Sequence, residues 1–275
     1  MKYTHYYFEL RTKKVYCYLY INGIPIADSL APMGTVSVGY DITTCLQNGI
    51  NNIEILFSGI DKSDFLKVDN GGFCTILVKA ITPDKTFNVA SLVGDSLEGS
   101  PTGRNSPHYE GLGQAGRVVE GMSDDPNLYR IQRTLTVSNL PVWHWTKATE
   151  FENSITNNKK LLNIYHNINM AIRKKDYDKL KTIYQISLLE NSINDESTID
   201  DEWGSLDIER YLNEGYNIKD TLMDSFKIDF YANGKLFRLI DDYGNSPIML
   251  NNEKGEIFTY TPYFSYVNND ILLVK

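Results

Sequence analysis

Residues Tyr40–Phe57 read YDITTCLQNGINNIEILF, and this stretch decides the fold of the first half of the chain. Asp41 is an acceptor placed to cap a short helical turn. Leu46 is the large aliphatic side chain of that turn and is expected to plug a core. Gly49 supplies the positive φ that ends the turn. Ile53–Phe57 then reads as a strand. Working outward, Val15–Ile21 (VYCYLYI) is a β-branched and aromatic run that stops at Asn22-Gly23. That dipeptide is a strong hairpin signal, and Ile24–Ala27 is the return strand. Thr35–Tyr40 alternates. Phe73–Ile81 follows Gly71-Gly72 as another strand, and Thr86–Val93 is one more.

Gly94–Pro126 breaks this pattern. Glycine and proline recur, apolar periodicity disappears, and the segment is too long for an ordinary connection. It is read as either a functional loop or a disordered one. Strand character resumes over Leu128–Val137. Val142–Trp145 follows a proline and reads as an edge, or as a crossing into the second half.

The second half begins with helices. Leu161, Tyr165, Ile168 and Ile172 fall on one helical face. Arg173-Lys174-Lys175 ends that helix and Asp176 starts another, which carries Tyr177, Leu180, Ile183 or Tyr184, and Leu188. The two are expected to form a hairpin, with helices spanning about 155–222. The C-terminus is a β-meander over about 225–275. Phe226, Ile228 and Phe230 alternate with polar neighbours, and Asn233-Gly234 turns the chain into Lys235–Ile240. The expected architecture is thus an antiparallel, jelly-roll-like β-sandwich over 1–150, then an α+β domain over 151–275.

The residues Asp41-Ile42-Thr43, Leu46, Gly49, Asn51 or Asn52, and Ile53–Leu56 resemble the accessory jelly-roll domain of family-two glycoside hydrolases and related galactose-binding-like sandwiches. The resemblance spans Val15–Phe57 and implies a fold. These are folding residues in that family, so no sugar ligand or catalyst carries over. The second half resembles nuclear-transport-factor-like α+β domains in its order of helices then meander. The two-part organisation and the acidic helical region also resemble immunity proteins encoded beside bacterial secreted toxins, type VI secretion effectors among them. That resemblance implies a cytosolic protein that occludes a cognate toxin.

Composition narrows the function classes. The chain has 275 residues, a formal net charge of −8, and ordinary apolar and charged fractions of 42% and 23%. Phosphate-binding surfaces need clustered cations, and the only dense basic run sits at a helix end, where cations complement the helix dipole. Nucleic acid is therefore not expected as a partner. The 19 tyrosines suit half-buried strands and interfaces. Cys17, Cys45 and Cys74 are far apart and read as buried thiols without pairing or metal-ligand spacing. MKYTHYYFELRTKK has neither an apolar h-region nor a small-residue cleavage site, and no run approaches a membrane span. The expectation is a cytoplasmic location with no membrane partner.

Gly94-Asp95-Ser96-Leu97 matches the nucleophile block of GDSL esterases in letters. The Asp-x-x-His and Gly-x-Asn-Asp blocks of that family are missing: His5, His108, His144 and His166 follow Lys2, Asn105, Pro141 and Asn163 at that spacing. An exposed turn is the plainer reading of Ser96. His144, between Trp143 and Trp145, would need an orienting carboxylate or carbonyl to act as an acid–base group. Asp195–Trp203 (DESTIDDEW) lacks the order of an EF-hand. It reads as a solvated acidic linker, or as an acidic face around an aromatic anchor formed by Asp195, Glu196, Asp200, Asp201, Glu202 and Trp203. No catalytic residue, metal or cofactor is expected. The leading expectation is a non-catalytic protein-binding protein; the alternatives are a carbohydrate-binding module and, last, an esterase.

Overall fold

The computed structural model describes residues 3–30, 34–107 and 114–275. The chain divides into two units, Met1–Val142 and Trp143–Lys275.

The first unit is an antiparallel β-sandwich. One sheet contains β1 (His5–Lys13), β4 (Val36–Val38), β6 (Phe73–Ile81), β7 (Thr86–Leu97) and β8 (Ser100–Thr102), in the order β4-β1-β6-β7-β8. The other contains β2 (Val15–Ile21), β3 (Ile24–Asp28), β5 (Gly49–Gly59), β9 (Val119–Met122) and β10 (Tyr129–Val137), in the order β3-β2-β5-β10-β9. Period-two burial sets the inner faces: Val15, Cys17, Leu19 and Ile21 on β2, and Cys74, Ile76, Val78 and Ala80 on β6. Asn22 and Gly23 both take positive φ, which a two-residue hairpin requires.

The Tyr40–Phe57 stretch folds around one amide. Thr43–Cys45 forms a 3-10 turn, with the Thr43 N–H donating to Asp41 Oδ1 at 2.7 Å. Leu46 is fully buried. Asn51 Oδ1 accepts from the Gln47 N–H and from Asn22 Nδ2, both at 2.8 Å. Its own Nδ2 donates to the Gln47 carbonyl at 2.8 Å. The bend is therefore fastened to the β2–β3 turn, and β5 starts at Gly49, earlier than the expected strand.

One expectation about the cysteines is corrected. Cys17 on β2 and Cys74 on β6 form a disulfide that ties the two sheets together through the core. Cys45 is a buried free thiol. The pair lies 57 residues apart, so no sequence spacing announces it.

The second unit is α+β. After a 3-10 turn at His144–Lys147 come α1 (Ile155–Lys174), α2 (Tyr177–Asp195), α3 (Ile199–Ser205) and α4 (Ile208–Asn213). Ser154 and Asp176 cap α1 and α2 through their side chains, and Lys175 closes α1 in the left-handed region. Two antiparallel sheets follow. The first orders β11 (Asn217–Ile218), β14 (Ile248–Asn251) and β15 (Ile257–Tyr260); the second orders β12 (Lys227–Tyr231), β13 (Leu236–Ile240), β16 (Phe264–Val267) and β17 (Asp270–Leu273). The α1 stripe Leu161, Tyr165, Ile168 and Ile172 is fully buried against Phe237, Leu239 and Phe264. Tyr165 accepts the Leu239 N–H at 3.0 Å, and burial pushes its phenol pKa up. Among the described residues no helix is long and apolar enough to cross a membrane.

Candidate functional site

The acidic segment is ordered rather than a linker. Thr198 and Asp201 form a capping box, in which Thr198 Oγ1 accepts the Asp201 N–H and the Asp201 carboxylate accepts the Thr198 N–H. Hydrogen bonds from Thr198 hold the Asp201 carboxyl below its usual pKa. Asp195, Glu196, Asp200 and Asp201 are exposed. Lys181 on α2 meets Asp200 at 3.1 Å, a pair open to water.

The other two expected members of that face are not on the surface. Glu202 is buried and accepts the Ser197 hydroxyl. Trp203 is 6% exposed and belongs to the core beneath α2, α3 and α4. Its ring lies edge-on to Tyr177 with centroids 6.4 Å apart, and its indole N–H donates to Glu209 Oε1 at 2.8 Å. The expectation that Trp203 is a surface anchor is corrected: α3 turns Asp200 and Asp201 outward, and buries Glu202 together with the indole.

Among the described residues the most exposed aromatic lies elsewhere, on the turn between β13 and β14. Tyr243 is 91% exposed. Asp241 Oδ1 accepts the N–H groups of Tyr243 and Asn245 at 2.9 and 2.8 Å, and Asp241 Oδ2 accepts Asn245 Nδ2 at 3.1 Å. The Asp241 and Gly244 N–H groups close the turn on the Asn245 and Asp241 carbonyls. Gly244 takes positive φ, which its missing Cβ permits. Desolvation works to raise the Asp241 pKa, but the hydrogen bonds from Asn245 and Tyr243 prevail and hold it down. Asp241-Asp242 opens the turn, and the aspartate at its base braces a tyrosine at its tip.

His144 has the orienting carboxylate that no sequence pattern reveals. Its Nδ1 lies 2.8 Å from Glu190 Oε1, and the same oxygen accepts the His144 backbone N–H. Glu190 is buried on α2, while the imidazole is 39% exposed. The carboxylate thus caps the His144–Lys147 turn and fixes the ring. Trp143 and Trp145 on either side are buried. Among the described residues no group of three His, Cys, Asp or Glu side chains could hold a metal ion.

Ser96 ends β7. Its hydroxyl accepts the Gly99 N–H at 3.1 Å, so it fastens the β7–β8 hairpin. Asp95 accepts from Asn105 at 2.6 Å. His5 pairs with Asp41 and His144 with Glu190, so neither serves Ser96. His108 lies outside the described residues.

The Gly94–Pro126 segment is partly strand, through the end of β7, β8 and β9. Residues 108–113 lie outside the described residues; the described stretches at Pro107 and Gly116 are held by Arg133, which faces inward from β10 between Ile131 and Leu135 and is 1% exposed. Its guanidinium donates to the carbonyls of Ser91, Pro107 and Gly116 at 2.7–3.1 Å. An arginine in a core register is the sequence signal for this arrangement.

Comparison with family models, with curated proteins and with solved structures returned no match to this chain.

Proposed function

We propose that the chain is a non-catalytic binding protein, and specifically an immunity protein that neutralises a cognate bacterial toxin by covering its active site. The observation that carries this reading is Tyr243, an almost fully exposed aromatic on a turn whose amides are hydrogen-bonded to Asp241. Tyrosine is enriched among interface hot spots. A turn ordered before contact loses little entropy on binding. The exposed carboxylates of Asp195, Glu196, Asp200 and Asp201 supply the second element, a negative field that steers a basic partner and fades with salt. Trp203 takes no direct part.

This reading departs from the expected cytoplasmic location in one respect: the Cys17–Cys74 disulfide favours an oxidising compartment. A disulfide inside a sandwich core forms and persists outside the reducing cytoplasm.

The test is co-expression with the protein encoded by the adjacent gene. Cells carrying this chain survive that protein, and cells carrying the Tyr243→Ala variant at equal abundance do not. Killing in the presence of the unaltered chain sinks the proposal.

A further inference from the structure

We propose that the outward face of the β4-β1-β6-β7-β8 sheet binds an acidic saccharide. A shallow groove of about 510 Å³ crosses this face, lined by Tyr7, Glu9 and Arg11 of β1, Ser37 of β4, Lys79 of β6 and Thr86 of β7. None of the Asp41–Leu56 residues that carry the jelly-roll resemblance lines it.

Strand register fixes the arrangement. Tyr7 stands opposite Lys79, and Arg11 opposite Ser37. Lys79 Nζ donates to Glu9 Oε1, and Arg11 Nη2 lies 3.4 Å from Glu9 Oε2. Two cations therefore share one carboxylate in the groove, within a chain whose formal charge is −8. Lys79 keeps less than a third of its side chain exposed. A purely apolar ligand would desolvate these charges without replacing their hydrogen bonds, which is costly. A ligand with many hydroxyls replaces them, and one that carries carboxylates also meets the excess positive charge. The hydroxyls of Ser37 and Thr86 add donors and acceptors at the rim. Tyr7, 36% exposed, offers a ring against which the C–H face of a sugar can pack, with Val38 and Ile81 beside it. Nucleic acid does not fit, because two cations neutralise too few phosphates.

The site does not depend on the protein-binding reading, since every residue in it belongs to the first unit. The test titrates the full chain with tetragalacturonate, and with maltotetraose as the neutral counterpart, by calorimetry or amide shifts. Saturable binding of tetragalacturonate is expected, weakened about tenfold in both Lys79→Met and Tyr7→Ala, a loss of about 1.4 kcal/mol. Lys79→Arg keeps the cation and keeps most of the affinity; its melting curve, with those of the other variants, separates loss of site from loss of fold. No saturable binding up to about 10 mM, or equal affinity in the Lys79→Met and Tyr7→Ala variants, overturns the site. Equal binding of maltotetraose overturns the assignment to an acidic ligand.

Discussion

Trp203 donates its indole N–H to Glu209 Oε1 across 2.8 Å, and this part-buried bond joins α3 to α4 from the edge of the helical core to an exposed carboxylate. Truncating a buried tryptophan removes its apolar contacts and leaves a cavity. Trp203→Ala is expected to cost about 3–5 kcal/mol of stability, read by urea titration and thermal melting. Trp203→Phe should cost clearly less, because much of the ring area remains. A Trp203→Ala protein that melts with the unaltered chain would place the indole on the surface.

The disulfide makes a chemical prediction. Unfolded without reductant, the chain should take up one equivalent of iodoacetamide, at Cys45, and three after reduction. Reduction frees a loop of 57 residues' separation, and loop-closure entropy puts the loss of stability at about 4 kcal/mol. Uptake of three equivalents before reduction, in protein from an oxidising compartment, would contradict the cross-sheet link.

Arg133 anchors the segment between β8 and β10. Arg133→Met keeps the aliphatic stem but removes the donors that hold the Ser91, Pro107 and Gly116 carbonyls. The expected cost is roughly 3 kcal/mol, from buried carbonyls left unsatisfied. Limited trypsin digestion should then cut faster after Arg104 and Arg117, which are exposed in this segment. Unchanged cleavage at both sites would show that other contacts hold the segment.

The Tyr243 turn should loosen in acid. The Asp241 carboxyl has a pKa held below its ordinary value, so its contribution is complete above the unfolded aspartate value of about 3.9. It is lost as pH falls through the still lower folded value. The Tyr243 and Asn245 amide resonances should move together below about pH 4, and stay put from there to neutrality. In Asp241→Asn this acid transition should vanish. Amide shifts that move near pH 6 instead would point to a different brace.

Much of the architecture could be read from local chemistry. Asn22-Gly23 and Asn233-Gly234 mark hairpins because positive φ is cheap there, and both hairpins form. The α1 stripe works because a helix of 20 residues repeats its apolar spacing often enough to be recognised. Trp203 is the opposite case. Helix α3 has seven residues, too few to establish a period, so the run Asp200, Asp201 and Glu202 reads as a polar face although Glu202 is buried with the indole. The Cys17–Cys74 bond was hidden because a sandwich brings distant strands together, although both cysteines alternate with polar or half-buried neighbours as inward residues do. Glu190 gave no signal at all. It is one more acid on α2 until the chain beside Trp143 folds onto it. Tyr243 carries no signal of its own, since sequence does not distinguish a tyrosine lying on the surface from one standing clear of it.

The most direct test of the binding account is a calorimetric titration of this chain with the protein encoded by the adjacent gene, at two salt concentrations. A one-to-one complex of nanomolar affinity is expected, weakened by added salt and by at least about a hundredfold in Tyr243→Ala. A flat titration, or a Tyr243→Ala variant that binds as tightly as the unaltered chain, would contradict the account.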